Sequence, residues 1–261
     1  MTSIKQYYLS LKYHKKLAIV FFLIFTCLLF LFVLLYQLRV TQLNSHELIQ
    51  EKWNYFTGLS VDTKANVQEA LLENNFSLLT FYNHLLFGLI LLSFMIIYLF
   101  GYISSKKRRP EINYMLNNGV KTFEIIARFM IDALIAAICS LLILTLVLSI
   151  LQNTFIKSTV YLNQCVSTKE LSKRNLVIEH APDLKSLARP ETTEIPKNPE
   201  NNLLPFNENS MFSSHLEKHT ITEIIRNVNQ HFVLLLIISA WSLFLGNYSY
   251  MLIHVKNRRI E

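Results

Sequence analysis

Two histidines four residues apart are the best metal-binding candidates in this sequence. His215 and His219 lie in "SSHLEKHTITE", and two histidines on one helical face can bind zinc. The segment lacks the glutamate that directly follows the first histidine in zinc proteases, and no third ligand is evident. We therefore interpret the pair as a solvated helix start and predict no metal site.

The other residue types that perform catalysis are present but scattered. The five glycines lack the spacing of a phosphate-binding loop, so we expect no Walker-type ATP site in this chain. Serine, histidine and aspartate residues form no nucleophile motif. Cys27 and Cys139 lie in apolar segments, where cysteine acts as a small hydrophobic residue, and Cys165 has no intrachain disulfide partner outside the membrane. The sequence predicts a chain that is not itself an enzyme and binds no cofactor.

Asp132 is the one formal charge inside an apolar segment. A charge at the bilayer centre costs about 2.5–3.5 kcal/mol on insertion scales, and less near a helix end. Two interpretations stay open. The carboxylate makes a polar contact to another helix or subunit, or it reaches the interface toward Arg128, four residues earlier.

Small side chains surround this aspartate at three- and four-residue steps. Ala133, Ala136, Ala137 and Ser140 lie along one side of the same segment. Small residues at helical spacing let two backbones approach closely in a membrane. We predict a helix–helix contact that includes Asp132, Ala133, Ala136 and Ser140.

Composition and apolar runs place the chain in a membrane. Hydrophobic residues make up 52% of its 261 residues and charged residues only 16%. Four apolar segments reach the roughly 20 residues that a spanning helix needs. They are residues 17–38, 81–103, 129–151 and 232–253. The first is too long, and lacks the cleavage site, for a removed signal peptide, so we interpret it as a retained span.

The distribution of lysine and arginine predicts the orientation. Residues 1–16, 104–128 and 254–261 together hold 13 basic residues and three acidic ones. Residues 39–80 hold three basic and five acidic residues, and residues 152–231 hold nine of each. By the positive-inside rule both termini and the middle loop are cytoplasmic. The net charge of +7 then reflects topology and attraction to the lipid bilayer, and predicts no nucleic-acid partner.

The two extracytoplasmic segments differ in character. Residues 63–82 predict a helix that continues into the second span as a stalk, and Thr220 with Glu223 forms a capping box for a helix leading into the fourth. Residues 158–166 and 174–181 predict short strands, and five prolines within residues 182–205 predict an irregular loop. The fold class is therefore an all-α membrane protein with four transmembrane helices, helical stalk extensions and a small α/β or irregular outer segment.

The cytoplasmic loop, residues 104–128, carries charge and helix patterns that a simple link between two spans does not need. Basic residues 106–109 are expected to anchor the second span at the headgroups, and Pro110 suits the first turn of a new helix. Apolar residues then recur at helical spacing until Gly119, which predicts a helix end. Either a partner docks on this helix, or the helix rests on lipid.

The order of residues in this loop resembles that of FtsX/MacB-type permeases of ABC systems. "RRPEINYMLNNGVKTFEI" aligns without gaps to the family pattern through Arg108, Arg109, Glu111, Ile112, Met115, Gly119, Val120 and Ile125. The following "ARFMIDALIAA" is similar to the family's next segment, with Asp132 at its acidic position. Four spans with both termini inside also match the family's core unit.

The resemblance implies a bacterial plasma-membrane permease that pairs with a second copy or a related permease subunit. Separately encoded ABC ATPase subunits, which carry the ATP and Mg, would bind a coupling helix at residues 111–118. ATP-driven motion would then serve export or removal of amphipathic peptides, or activation of an extracytoplasmic partner. The implied coupling residues are Arg109, Glu111, Ile112, Met115, Leu116, Gly119, Val120 and Phe123.

The chain also departs from the family pattern. About 42 residues replace the usual large domain between spans one and two, and the larger outer segment lies between spans three and four. This is similar to half of the longer bacitracin-resistance-type permeases. The competing class is a non-transport membrane protein, a peptide-immunity or sensor-anchor protein, whose loop helix lies on lipid. Changes at Ile112, Met115 and Leu116 are expected to uncouple an ATPase in the first class and to loosen membrane contact in the second.

Overall fold

The computed structural model describes residues 14–54, 61–173, 177–178, 203–204 and 221–258. Most of these residues lie in helices, and one pair of two-residue strands accompanies them. The strands β1 (Val177–Ile178) and β2 (Leu203–Leu204) run parallel. The helices are α1 (Lys15–Asn54), α2 (Val61–Lys107), α3 (Arg109–Asn117), α4 (Thr122–Ile150), α5 (Gln152–Lys173) and α6 (Ile221–Arg258).

Four of these helices are long and apolar enough to cross a membrane, which confirms the predicted number. The qualifying stretches are Lys15–Asn44 in α1, Leu72–Lys107 in α2, Thr122–Ile150 in α4 and Ile224–Ile253 in α6. Each stretch is longer than the predicted apolar run, because the residues added at its ends include no glycine or proline that would end the helix. Helix α2 also confirms that the helix predicted before the second span continues into it without a break.

The prediction of a strand at residues 158–166 is wrong, because these residues lie inside α5. Valine, threonine and tyrosine favour strands in isolation, but packing decides the outcome. Phe155, Thr159 and Asn163 are buried at four-residue steps, with Ile156 and Val160 beside them. That is a helical stripe. The strand predicted at residues 174–181 is confirmed at Val177–Ile178, and its other residues lie outside the described part of the chain.

The chain divides into two compact units. The first contains Met1–Val33, Leu85–Ile150 and Ile221–Glu261, and so includes α3, α4 and α6. The second contains Leu34–His84 and Leu151–Thr220.

A close crossing of α2 and α6 organises the first unit. A Cβ atom added at Gly246 would lie 2.4 Å from the carbonyl oxygen of Tyr98, and one added at Gly101 would lie 3.2 Å from that of Leu243. Any larger residue at Gly246 must push the backbones apart. Ser105 Oγ donates a 2.7 Å hydrogen bond to Asn247 Oδ1 beside this crossing.

Helices α1 and α4 complete the first unit. Helix α4 packs against α6. Ser140 Oγ on α4 lies within hydrogen-bonding distance of two carbonyl oxygens, that of Ala136 at 2.9 Å and that of Phe22 on α1 at 3.2 Å. The rings of Phe21 and Phe100 bring α1 against α2, with centroids 5.0 Å apart.

The second unit is held by a mixture of apolar and amide contacts. Leu38, Leu78 and Tyr82 form its apolar cluster. Tyr82 Oη donates a 2.8 Å hydrogen bond to Asn163 Oδ1 on α5. Asn75 Nδ2 on α2 donates a 3.2 Å bond to the Gln42 carbonyl of α1.

Candidate functional site at helix α3

Helix α3 begins after a single-residue turn at Arg108. The Arg108 N–H group bonds the carbonyl oxygens of Ser104 and Ser105, each at 3.1 Å, and its own carbonyl accepts the Ile112 N–H at 3.0 Å. Pro110 lies in the first turn, as predicted. There it sacrifices no helical hydrogen bond, because the first N–H groups of a helix have no partner within it.

The end of α3 is a Schellman motif. Gly119 has a φ of +76°, a conformation that costs a residue with a Cβ about 1–2 kcal/mol. The Val120 N–H bonds the Met115 carbonyl at 3.1 Å, and the Gly119 N–H bonds the Leu116 carbonyl at 3.1 Å. The prediction that Gly119 ends the helix is confirmed, and the reversal leads the chain into α4.

One face of α3 is buried in the protein itself. Ile112 is 0% exposed and Met115 is 7% exposed. Leu116 and Val120 are half-buried against the same cluster, so the apolar stripe of the helix is largely used in internal packing. The buried members of this cluster are Ile112, Met115, Ile125, Ile126, Phe129, Tyr250 and Met251.

A buried ion pair ties the start of α3 to α4. Arg108 Nη1 lies 2.7 Å from Asp132 Oδ2, and both side chains are at least nine-tenths buried. The Arg108 guanidinium also lies over the Phe129 ring, 4.6 Å from its centroid, in a cation–π contact. Arg108 thus contacts two successive turns of α4.

The expectation that Arg108 anchors the second span at the headgroups is therefore wrong. Its flanking residues Lys107 and Arg109 are exposed, whereas Arg108 is turned inward by the break between α2 and α3. Of the two interpretations of Asp132, the structure shows the polar contact to another helical segment. Arg128 instead places its Nη1 atom 3.8 Å from Met115 Sδ.

A second polar contact joins α3 to the start of α1. His14 Nε2 lies 2.9 Å from Glu111 Oε2. The His14 carbonyl accepts the N–H groups of Leu17 and Ala18, so this histidine also caps α1. Helix α3 is thereby attached to α1 through Glu111, to α4 through Arg108 and to α6 through the apolar cluster.

The opposite face of α3 is open. Arg109 and Pro110 are exposed, and Tyr114 is 72% exposed. Past the turn, Lys121 is also exposed, and Phe123 is 69% exposed. We define the open face as Arg109, Pro110 and Tyr114 of α3, which combine one aromatic ring with positive charge.

The structure distributes the predicted coupling residues over both faces. Ile112 and Met115 point into the chain's own core, and Arg109 lies on the open face. Phe123 is exposed at the start of α4, where its ring contacts that of Phe244 on α6. Changes at Ile112 or Met115 therefore remove internal packing of the chain, in addition to any effect on a partner or on lipid. Their role in coupling stays a prediction, as do those of Glu111, Leu116, Gly119 and Val120.

The predicted contact surface on α4 is placed against neighbouring segments. Asp132, Ala136 and Ser140 are buried, and Ala133 is half-buried. Three features were not predicted from the sequence: the inward turn of Arg108, the capping role of His14 and the exposure of Tyr114.

The described part of the chain contains no candidate metal site. Within it, no group of three histidine, cysteine or carboxylate side chains could hold a metal ion. His215 and His219 lie outside the described residues.

Comparison of the chain with protein families, with curated proteins and with solved structures gives no match.

Proposed function

We propose that this chain is the membrane subunit of an ATP-driven ABC-type complex and that α3 is its contact with separate ATPase subunits. The termini and α3 lie on the cytoplasmic side in this proposal, as the distribution of basic residues predicts. ATP hydrolysis by the partner is coupled to work on the other side of the membrane, such as export or removal of amphipathic peptides.

The observation that carries this proposal is the division of α3 into a fixed face and an open face. Ile112 and Met115 fix the helix to the core of the first unit, while Tyr114 projects from it. A helix that only connects two spans needs neither feature. A helix that receives force from a partner needs both, because a loosely held helix would move without moving the spans.

Three attachments give such a force a route into the membrane. Glu111 contacts His14 at the start of α1. Arg108 contacts Asp132 on α4. Tyr250 and Met251 of α6 belong to the same cluster as Ile112. A displacement of α3 therefore acts on three of the four spanning helices together, which favours coupled motion of the spans.

Polar groups within the spans favour mechanical work over conduction of a hydrophilic solute. The hydroxyl groups of Ser93 and Ser242 each donate to the carbonyl oxygen one turn earlier in their own helix. Both side chains are also fully buried in the protein, so neither hydroxyl lines a water-filled path.

The second candidate is a non-transport membrane protein whose α3 rests on lipid. The exposed rings of Tyr114 and Phe123 favour it, since aromatic side chains suit the headgroup region. Against it, the apolar stripe of an interfacial helix should face lipid, whereas Ile112 and Met115 face protein. We therefore prefer the ATPase contact.

The test is purification of the tagged chain from its own organism in mild detergent, with mass spectrometry of the proteins that co-elute. We expect an ABC ATPase to co-elute, and Tyr114→Ala to lower its yield about tenfold or more, as for an aromatic hot spot. Tyr161→Ala is the matched control, because Tyr161 is a similarly exposed tyrosine on α5.

Three results contradict the proposal. The first is the absence of an ATPase across several mild detergents while the chain stays helical. The second is equal loss of the ATPase in Tyr114→Ala and Tyr161→Ala. The third is an unchanged ATPase yield in a variant that carries both Arg109→Glu and Tyr114→Ala, since this pair of changes reverses the chemistry of the open face.

A further inference from the structure

An apolar groove with a basic mouth runs between α1 and α2 of the first unit. Its volume is about 600 Å³, within the range of about 300–1,000 Å³ typical of small-molecule sites. We propose that this groove binds one anionic phospholipid of the surrounding leaflet. The proposal goes beyond the ATPase contact and does not depend on it.

The walls of the groove suit an acyl chain. Val20 and Ile24 line it from α1, and Leu99 and Ile103 line it from α2. Val20, Leu99 and Ile103 are each about half exposed, so nothing within the described protein covers this apolar surface. The α1 wall from Lys16 to Ile24 is about 12 Å long at the rise of an α-helix, enough to hold the upper part of one chain.

The mouth of the groove suits an anionic headgroup. Lys15 and Lys16 begin α1 and Lys107 ends α2, so the antiparallel helices bring all three ammonium groups to the same end. All three side chains are exposed. Among the described residues, none of these three lysines takes part in an ion pair. Basic pockets of this kind at the ends of spanning helices bind anionic lipid headgroups.

The combination selects a phospholipid over the other occupants. A free phosphate would use the lysines and leave the apolar walls bare. A helix from a second copy would cover the walls but would need a carboxylate at the level of the lysines. A lipid with a phosphate at one end and a hydrocarbon chain at the other matches both parts at once. The anionic lipids of the cytoplasmic leaflet supply this chemistry at high concentration.

The location connects the lipid with α3. His14 lines the same groove and contacts Glu111 on α3. A lipid that bridges α1 and α2 there holds His14 in place, and so supports one of the three attachments of α3. We infer that bound lipid positions the start of α3.

The first test is native mass spectrometry of the full chain, released from detergent with equimolar phosphatidylglycerol and phosphatidylcholine of identical acyl chains. We expect preferential retention of one phosphatidylglycerol. Lys107→Gln should weaken that retention about fivefold, the effect typical of one lysine near a membrane surface. Lys106→Gln is the matched control, because this exposed neighbour does not line the groove, and it should leave retention unchanged.

The second test addresses the walls. Val20→Trp places a ring in the groove and should abolish the retained lipid, whereas Ile19→Trp, at an exposed neighbour outside it, should not. Both positions are on the helix surface, so folding is not at risk.

Four results would overturn the proposal: no lipid preference in the unaltered chain, equal loss with Lys106→Gln and Lys107→Gln, displacement of the lipid by soluble glycerol phosphate, or Val20→Trp converting a dimer to a monomer with no change in lipid. The second indicates diffuse surface charge, the third a free-anion site and the fourth a second copy.

Discussion

The interiors of the two units bury polar groups in different ways. In the first unit two pairs of buried polar side chains meet across segments, Arg108 with Asp132 and Ser105 with Asn247, both at 2.7 Å. Two buried atoms of the Arg108–Asp132 pair, Arg108 Nε and Asp132 Oδ1, have no hydrogen bond among the described residues. In the second unit four buried amides each keep one nitrogen or oxygen without a hydrogen bond: Gln37, Gln42, Asn75 and Asn163.

This difference indicates where the molecule is firmly built. An unsatisfied buried polar atom costs about 1–3 kcal/mol, and the second unit has four such atoms where the first has two among the described residues. We therefore expect the helix contacts of the second unit to open more easily than those of the first. Regions of low local stability are the ones that change conformation during function. Under the proposed function the first unit is the rigid body that carries α3, and the second is the unit whose helix contacts rearrange.

The ion pair between Arg108 and Asp132 gives the largest expected effect on stability and the strongest test of how the first unit is held together. Asp132→Leu leaves Arg108 buried without its carboxylate, which should lower the stability of the folded chain by about 3–5 kcal/mol. The measurement is loss of helical circular dichroism as sodium dodecyl sulfate is added to the protein in mild detergent. Glu124→Leu, at an exposed carboxylate of the same helix, is the control and should change little.

The double variant separates the pair from its parts. Arg108→Met combined with Asp132→Leu removes both charges and should recover most of the lost stability. A double variant as unstable as Asp132→Leu would mean that the loss does not come from an unpaired Arg108 charge, and would contradict a stabilising role of the ion pair in the first unit.

The close crossing of α2 and α6 gives the next largest expected effect on stability. Gly246→Ala introduces a Cβ atom against the Tyr98 carbonyl, so α2 and α6 must separate. Overpacking of this kind costs about 1–3 kcal/mol. Gly88→Ala is the matched control, since a Cβ there has no heavy atom within 4 Å. The same detergent titration should show a loss for the first variant and no loss for the second; equal behaviour would mean that the crossing is not tightly held.

The sequence was sufficient for the features that depend on local pattern. Apolar runs without breakers predicted the four long helices, and Pro110 with Gly119 predicted both ends of α3. The conformation at Gly119, with a φ of +76°, agrees because only a residue without a Cβ adopts it cheaply. Each of these features is decided within a few residues of the chain.

Features that depend on distant segments could not be predicted. Arg108 and Asp132 are 24 residues apart, and nothing in the run of four basic residues marks Arg108 as the buried one. The apolar stripe of α3 predicted a covered face, but lipid, a partner or the chain itself could have covered it. In α5 the strand-favouring residues pointed to the wrong element because packing on one side of the helix outweighed local preference.

The smallest expected effect tests the second unit directly, because it has the opposite sign. Gln37 is 3% exposed, and its Nε2 atom has no hydrogen-bond partner among the residues that the structure describes. Gln37→Leu keeps a similar volume and removes the unsatisfied group, so it should raise stability by about 1 kcal/mol. Asn247→Leu makes the same kind of change in the first unit, where it leaves the Ser105 hydroxyl without its acceptor, and should lower stability by about 1–3 kcal/mol. Two losses in the detergent titration would show that Gln37 is satisfied after all, and the second unit would then be built as firmly as the first.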